Sequence, residues 1–571
     1  MPIANCEAVR TSAAQSPPLD AAFPISPLLP ALRASLEAHP RLVLEAPPGA
    51  GKTTQVPLAL LDAPWRAGKV LMLEPRRVAA RAAAGFMAKQ LGEAVGASVG
   101  YRIRFEAKVS AATQVEVVTE GILTRLIQDD PTLDGVAAIL FDEFHERHLA
   151  ADLGLALALD VQAQLRPDLR LVVMSATLDG ERLATFLDAP RLTAEGRAYP
   201  VTVKHFPARR DEALAIQLRR CVEHALAEHP GDVLAFVPGQ REILEAMRAL
   251  EAAVDGGSIA NDVRLLPLHG ELSVEAQSAA LNPDPDGRRR VVLATNVAES
   301  SVTLPGVRVV IDSGLAREPR FEPNSGFSRL DTVAISQASA DQRAGRAGRV
   351  AEGWCYRLWP ESQRLEPNRR AEVSQVELSG LALELAAWGS TDLRFVDAPP
   401  RGALAAGVDL LKSLGALDAS GLITAFGRRV LALGTHPRLA AMLLAPTHAG
   451  ETALACDLAA LIEARDPLNG PRRDDVAARW QALAAFRSGR TPFDASRSGL
   501  AAIDQQAKNW RRRLRCEAAP PKDAPNHRVG DLLAHAFPDR IGVQHPTDAR
   551  RYALSNGRSA RVFDDSALFG E

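Results

Sequence analysis

At 571 residues the chain exceeds what one hydrophobic core can organise, and roughly four domains of about 150 residues each are expected. Lys and Arg (67) balance Asp and Glu (69) to a formal net charge of -2, which excludes a uniformly basic protein, so any polyanionic partner has to be met by local patches. Cys6, Cys221, Cys355, Cys456 and Cys516 are scattered with no CxxC pair, and no apolar run approaches the length of a membrane span; a disulfide framework, a zinc site and a membrane anchor are disfavoured, and a reducing cytoplasm is expected.

Residues 1–25 contain Ser16-Pro17-Pro18 and lack a basic start followed by an apolar core, so they read as a disordered leader and not a signal peptide. From 42 to about 177, short β-rich runs alternate with helical stretches: Leu42-Val43-Leu44, Val70-Leu71-Met72-Leu73, Val115-Glu116-Val117-Val118, Ala138-Ile139-Leu140-Phe141 and Leu171-Val172-Val173-Met174. Near-continuous apolar strands separated by helices predict a parallel sheet covered on both faces. After the first run comes Ala46-Pro47-Pro48-Gly49-Ala50-Gly51-Lys52-Thr53-Thr54, and then 55–61, which reads as the first turns of a helix. Strand, small-residue loop, helix is the context of a phosphate-binding loop. Gly49 and Gly51 let backbone N–H groups turn inward toward phosphate oxygens at a helix N-terminus. Lys52 adds a point charge for the β- and γ-phosphates, and the Thr53 hydroxyl is placed to ligate Mg²⁺. Ala46 stands where the usual pattern has its first glycine.

Asp142-Glu143-Phe144-His145 follows the strand 138–141, where a metal-bound nucleotide needs its second acidic contact. Asp142 is assigned to Mg²⁺ and Glu143 to orienting the attacking water. Ser175-Ala176-Thr177 ends the next strand, so the hydroxyls of Ser175 and Thr177 are expected near Glu143 and His145, coupling the state of the γ-phosphate to the rest of the sheet.

The α/β pattern then restarts over about 199–360, with strands at 233–237, 291–294 and 307–311, and without a second phosphate loop. Two similar sheets with one such loop predict a site between them. The run Gln342-Arg343-Ala344-Gly345-Arg346-Ala347-Gly348-Arg349 places Arg346 and Arg349 three apart, on one helical face if the run is helical, with small residues that allow close approach to a phosphoryl group. Beyond 360 the strand signal thins, and Ala/Leu helical periodicity dominates to about 514; Pro520-Pro521 reads as a linker, and the tail from 541 turns β-like.

Taken together, 46–54, Leu73-Glu74-Pro75-Arg76-Arg77-Val78-Ala79-Ala80, Thr119-Glu120-Gly121-Ile122-Leu123, 142–145, 175–177, Ala294-Thr295-Asn296-Val297-Ala298-Glu299-Ser300-Ser301 and 342–349 resemble, in order and spacing, the motif set of the superfamily 2 DEAH/RHA helicases. Phe144 replaces the Ala of the name-giving motif; with Pro47-Pro48 and Ala536-Phe537-Pro538-Asp539-Arg540-Ile541 it resembles a bacterial branch whose members usually continue further. The resemblance implies an ATP-dependent helicase, acting on single-stranded or partly duplex RNA with DNA also possible and moving 3′ to 5′, that binds ATP with Mg²⁺ and reads the base loosely enough to admit other NTPs. Lys52, Asp142, Glu143, His145, Gln342, Arg346 and Arg349 would form the catalytic set, the last three on the γ-phosphate side. Pro47, Pro48, Gly49, Ala50, Gly51, Lys52, Thr53 and Thr54, with Ser301 and Thr303, would hold the nucleotide.

Arg76, Arg77, Arg104, Thr119, Gly121, Thr295 and Asn296 are the candidate nucleic-acid contacts, since hydroxyls, amides and guanidiniums grip phosphates without reading sequence. Arg76-Arg77 are expected on the outer rim of the first sheet, and Gly100-Tyr101-Arg102-Ile103-Arg104-Phe105 on a turn. The insertion 317–336 resembles the β-hairpin such helicases place at a duplex junction; the basic run 510–515 flanks an exit channel or forms a solvated helical face. The expected fold is α/β, two tandem RecA-like domains followed by winged-helix, helical-bundle and partial β (OB-like) domains. The expected boundaries are 26–198, 199–362, 363–425, 426–535 and 536–571, the last incomplete. A remodelling or clamping ATPase that does not unwind processively is the alternative, and protein partners are not legible.

Overall fold

The computed structural model describes residues 23–103, 106–176, 180–194, 199–299, 304–322, 325–390, 392–470, 474–490, 492–521, 526–564, 566 and 568–569. They divide into two compact units, 1–376 with 393–398, and 377–392 with 399–571.

The first unit holds both α/β layers. Its first sheet is built from β1 (Arg41–Glu45), β2 (Lys69–Leu73), β3 (Val99–Ile103), β4 (Glu106–Lys108), β5 (Val115–Val118), β6 (Val136–Phe141), β7 (Arg170–Ser175) and β8 (Arg191–Thr193). Their order is β4-β3-β5-β2-β6-β7-β1-β8, with only β4 antiparallel to its neighbour. Every residue of β6 is buried, as a central strand covered on both faces requires. One face packs Leu42, Leu44, Val70, Met72, Leu140 and Val172 beneath apolar residues of the helices Leu29–Ala38, Lys52–Ala59 and Arg77–Gln90. Burying side chains of this kind stabilises by about 1.5–3 kcal/mol each relative to exposure, which fixes the register that the loops inherit.

The second sheet consists of β9 (Val201–His205), β10 (Asp232–Phe236), β11 (Arg264–Leu268), β12 (Arg290–Ala294), β13 (Val307–Asp312) and, after the hairpin β14 (Leu315–Glu322) and β15 (Phe327–Ala334), β16 (Gly353–Arg357). It is parallel throughout, in the order β11-β12-β10-β13-β16-β9. In both sheets the chain leaves the carboxyl ends of the strands into the loops that carry the candidate chemistry, the usual ligand side of such a fold. The β14–β15 hairpin falls on the expected insertion, pairs Arg320 opposite Arg329, and leaves Phe321 and Leu330 exposed.

One local expectation is corrected. Gly100, Tyr101, Arg102 and Ile103 lie on β3, not on a turn, parallel to β5. Tyr101 is buried with its hydroxyl on Glu106, and Arg102 Nε donates to Glu116 Oε1 at 2.7 Å, so the alternation of ring and cation is the two-face period of a strand.

The second unit is helical: Ser379–Trp388, Arg401–Ser413, Ala425–Ala432, Pro437–Leu444, Ala449–Glu463, Val476–Arg487, Arg497–Arg513 and Asn526–Ala536. A bridge between Leu417 and Ile423 makes a short hairpin after Arg401–Ser413. The chain closes on an antiparallel sheet of β17 (Gly542–His545), β18 (Asp548–Leu554) and β19 (Ser559–Arg561). In the basic run, Arg511 is turned inward to Asp457 at 3.0 Å, beside Arg487 at 2.6 Å from the same buried carboxylate. Among the described residues no helix is long and apolar enough to cross a membrane.

Candidate active site and nucleic-acid interface

Gly49 and Gly51 have φ of +85° and +94°, a region that disfavours any side chain with a Cβ, and this lets the loop after β1 curl over the start of the helix Lys52–Ala59. The first turn of that helix leaves N–H groups without intrahelical acceptors, directed at the concavity. Lys52 is 4% exposed, and its ammonium lies 2.6 Å from Glu143 Oε1 and 3.3 Å from Asp142 Oδ1. Thr53 Oγ1 donates to Asp142 Oδ2 at 2.5 Å. The loop from β1 and the acidic pair after β6 are therefore one cluster, because β1 and β6 both flank β7 in the sheet.

The electrostatics separate the two carboxylates. Burial alone would raise Glu143, but the Lys52 ammonium holds it below the usual carboxylate range, so it is anionic. Burial raises Asp142, opposed by Lys52 and reinforced by the like charge of Glu143. Lys52 itself is shifted upward: burial works against its charge, and the two carboxylates outweigh that. His145 Nδ1 accepts the Ala176 N–H at 3.3 Å, which puts the ring's N–H on Nε2, 3.5 Å from Glu143 Oε2. Ser175 is fully buried, and its carbonyl accepts the Ala46 N–H at 3.0 Å, joining the end of β7 to the start of the loop.

From the second sheet, the helix Gln337–Ala344 is capped by Ser336, whose Oγ accepts the Ser339 N–H. It stops at Ala344, so Arg346 and Arg349 do not lie on a helix face as expected; Arg346 sits on tight turns held by Arg346 N–H to Arg343 O and Ala347 N–H to Ala344 O, and Arg349 follows in a bend. Gly348 permits this, since a Cβ there would come within 2.5 Å of the Tyr199 carbonyl. Arg349 nonetheless reaches the first sheet: a Cβ on Gly49 would be 3.5 Å from Arg349 Nε, so the guanidinium lies directly on the phosphate loop. Burial lowers Arg349 to about 10, with Glu143 partly offsetting it. Arg346, 3% exposed, is pushed well down by burial and by the Arg349 charge, while its Nε donates to the Glu299 carbonyl. Both guanidiniums feel the charge of Glu143, which sets them beside the acidic pair after β6.

Of the candidate nucleic-acid contacts, Arg77 and Gly121 are exposed, and Thr119 and Thr295 are half-buried at strand ends, each preceding a helix. Arg76 is not on the outer rim. Its guanidinium is drawn inward to Glu146 at 2.8 Å and to Asn296 Oδ1 at 3.4 Å, because a desolvated cation at the end of β2 takes the nearest buried carboxylate; it thereby ties the first sheet to the second. Arg104, Thr177, Ser301 and Thr303 lie outside the described residues.

Comparison with known proteins then decides the family. Residues 30–186 match the DEAD/DEAH box helicase family and 216–351 the helicase conserved C-terminal domain. The chain is 40% identical to a crystal structure of Escherichia coli DEAH/RHA helicase HrpB, with a TM-score of 0.79 over 96% of this chain and 67% of that one. The chain belongs to the DEAH/RHA helicases. A second structure, of E. coli DExH-box NTPase HrpB, aligns with a TM-score of 0.75 at 40% identity over 98% of this chain and 66% of that one. The curated relative ATP-dependent RNA helicase HrpB of E. coli (strain K12) is 42% identical over 96% of this chain, which spans 65% of the relative's length.

Within this DEAH/RHA site, two residues escaped the sequence reading. Arg343, 1% exposed, donates to Asp312 Oδ1 at 2.8 Å and to Glu299 Oε2 at 2.9 Å and lies over the Phe236 ring. It holds the turn that presents Arg346 and Arg349. The missed signal was a third arginine in a run whose neighbours are too small to leave it solvated, with Asp312 at a strand end to receive it. Glu146, next to the 142–145 motif, is buried against Arg76 and His148.

The donor set fits a triphosphate with a divalent cation. The loop offers Gly-enabled N–H groups and Lys52, while the Thr53 hydroxyl and Asp142 carboxylate are adjacent hard oxygen donors of the kind Mg²⁺ takes alongside phosphate. Among the described residues no group of three or more His, Cys, Asp or Glu could hold a metal by itself.

Proposed function

We propose that this chain hydrolyses ATP and uses the cycle to move along RNA and separate its strands. One observation carries the reading: Arg349, from the second sheet, lies on Gly49 of the loop from the first, so a triphosphate seated in the loop would be enclosed by cations of both. Residues Pro47 to Thr54 would cradle the phosphates, and Thr53 with Asp142 would hold Mg²⁺. When bound, that ion neutralises charge on the β- and γ-phosphate oxygens. Glu143, kept anionic by Lys52, accepts a proton from the attacking water. As the water oxygen bonds to the γ-phosphorus, the bridging P–O bond breaks and its electron pair leaves on ADP. Arg346 and Arg349 stabilise the charge spread over the transferring group, and His145 and Gln342 orient the water.

The same reading assigns 26–198 and 199–362 to the two RecA-like motor domains, 363–425 to a winged-helix unit, 426–535 to a helical bundle and 536–571 to the start of a β domain. The single strand would cross the motor domains at Arg77, Thr119 and Gly121 on one side and Thr295 on the other, with the β14–β15 hairpin at the duplex junction; a cytoplasmic setting follows from the substrate. The deciding experiment measures ATPase rate at fixed salt with RNA, DNA and no polymer, beside displacement of a strand from a duplex with a 3′ overhang. RNA-stimulated turnover with displacement is expected. Turnover without displacement on any duplex would refute unwinding, and no turnover would refute the motor.

A further inference from the structure

A partly enclosed cavity of about 40 Å³ is lined by His145, Ser175 and Gln342 and by Leu183, Ala338 and Arg369, with no residue of the phosphate loop on its wall. We infer that this cavity is the exit for inorganic phosphate, which departs between the two sheets while ADP is still held by the loop. The inference rests on the ATP-hydrolysing reading and adds the route and order of product release.

The surroundings of the cavity support it. The cavity begins one side chain from the reaction, because His145 Nε2 is 3.5 Å from Glu143 Oε2. Its volume holds about three waters, the scale of one tetrahedral oxyanion. Gln342 Nε2 is a buried donor on the cavity wall that makes no hydrogen bond among the described residues, so one donor awaits an anion there. The two carboxylates on the wall do not repel one, since Glu146 is paired with Arg76 at 2.8 Å and Glu299 with Arg343 at 2.9 Å. At the outer side Arg369, 20% exposed and paired with Glu318 at 3.0 Å, stands between the cavity and water. Phosphate leaving by the loop side would instead have to pass ADP and Lys52, whose charge the two carboxylates secure.

The test narrows the cavity without touching the reacting groups. Ala338→Leu puts a branched side chain on its wall; Asn368→Trp, at an exposed lining position that folding tolerates, narrows it from the rim. In one RNA-stimulated single turnover, cleavage is followed by rapid quench and free phosphate by a fluorescent phosphate-binding sensor. Cleavage within about threefold of the parent, with phosphate appearance slowed at least tenfold and ADP now leaving first, is expected in either variant. Phosphate that keeps pace with cleavage in both variants would overturn the exit while leaving hydrolysis intact. A parent chain that does not cleave ATP would overturn both readings.

Discussion

Replacing Arg349 by alanine removes a cation that the fold delivers from one sheet to the phosphate loop of the other. In a partly desolvated site with an effective dielectric near 20, a unit charge about 4 Å from a phosphoryl oxygen is worth roughly 4 kcal/mol. Because the charge on the transferring group spreads to its outer oxygens only as the bond breaks, most of that appears in the barrier, and about 10³ in rate is at stake. Burial brings Arg349 down to about 10, so it is still protonated at neutral pH and the full charge is lost. Its side chain lies on Gly49, while the candidates Arg77 and Gly121 are exposed, so RNA binding should remain within about threefold. The assay is single-turnover hydrolysis at saturating RNA, with RNA affinity measured by fluorescence anisotropy. A rate within threefold of the parent would refute the claim that the second sheet completes the site.

Glu143→Gln keeps the shape, removes the proton acceptor and frees Lys52 from its 2.6 Å partner; turnover should fall by about 10²–10⁴ while ATP affinity measured by calorimetry is unchanged or tighter. Asp312→Asn leaves the Arg343 guanidinium, 1% exposed, with only Glu299 for charge, so a destabilisation of about 3–5 kcal/mol is expected, read as a lowered midpoint of the first unfolding transition and a parallel loss of ATPase. His148 gives a pH dependence. Burial alone would lower it, but hydrogen bonds to Glu146 and Glu372 raise it to about 10. Since this lies above its ordinary value of 6.5, the stabilisation is complete below 6.5 and drains away as pH rises through 10; Tm should fall between pH 7 and 10, and His148→Gln should flatten that slope.

The parallel strands were legible because their apolar runs are nearly unbroken: β5 coincides with Val115-Glu116-Val117-Val118, and β6 with the run ending at Phe141. β3 was not, since Gly100 and Arg102 interrupt its apolar signal and the partners that bury Tyr101 and pair Arg102 come from Glu106 and Glu116. The phosphate loop was legible for a different reason: its geometry is local, and Gly49 and Gly51 adopt the left-handed backbone their lack of a Cβ allows. The arginine run is basic and closely packed as its composition suggested, yet the helix ends at Ala344 and Gly348 lets the following turn approach the Tyr199 carbonyl. Arg76 was misplaced because a cation after a strand looks solvated until Glu146, seventy positions away, is folded against it.

Sequence by itself determined the parts whose physics is short-range: the doubled α/β pattern, the glycine loop after β1, and the acidic pair that follows β6. Only the tertiary structure decided which charges meet. Arg349 on Gly49, Arg343 between Asp312 and Glu299, and Arg76 between Glu146 and Asn296 are contacts between residues far apart in the chain. A buried guanidinium takes whichever carboxylate or amide packing brings within about 3 Å, and packing is a property of the assembled sheets and not of any one stretch of residues.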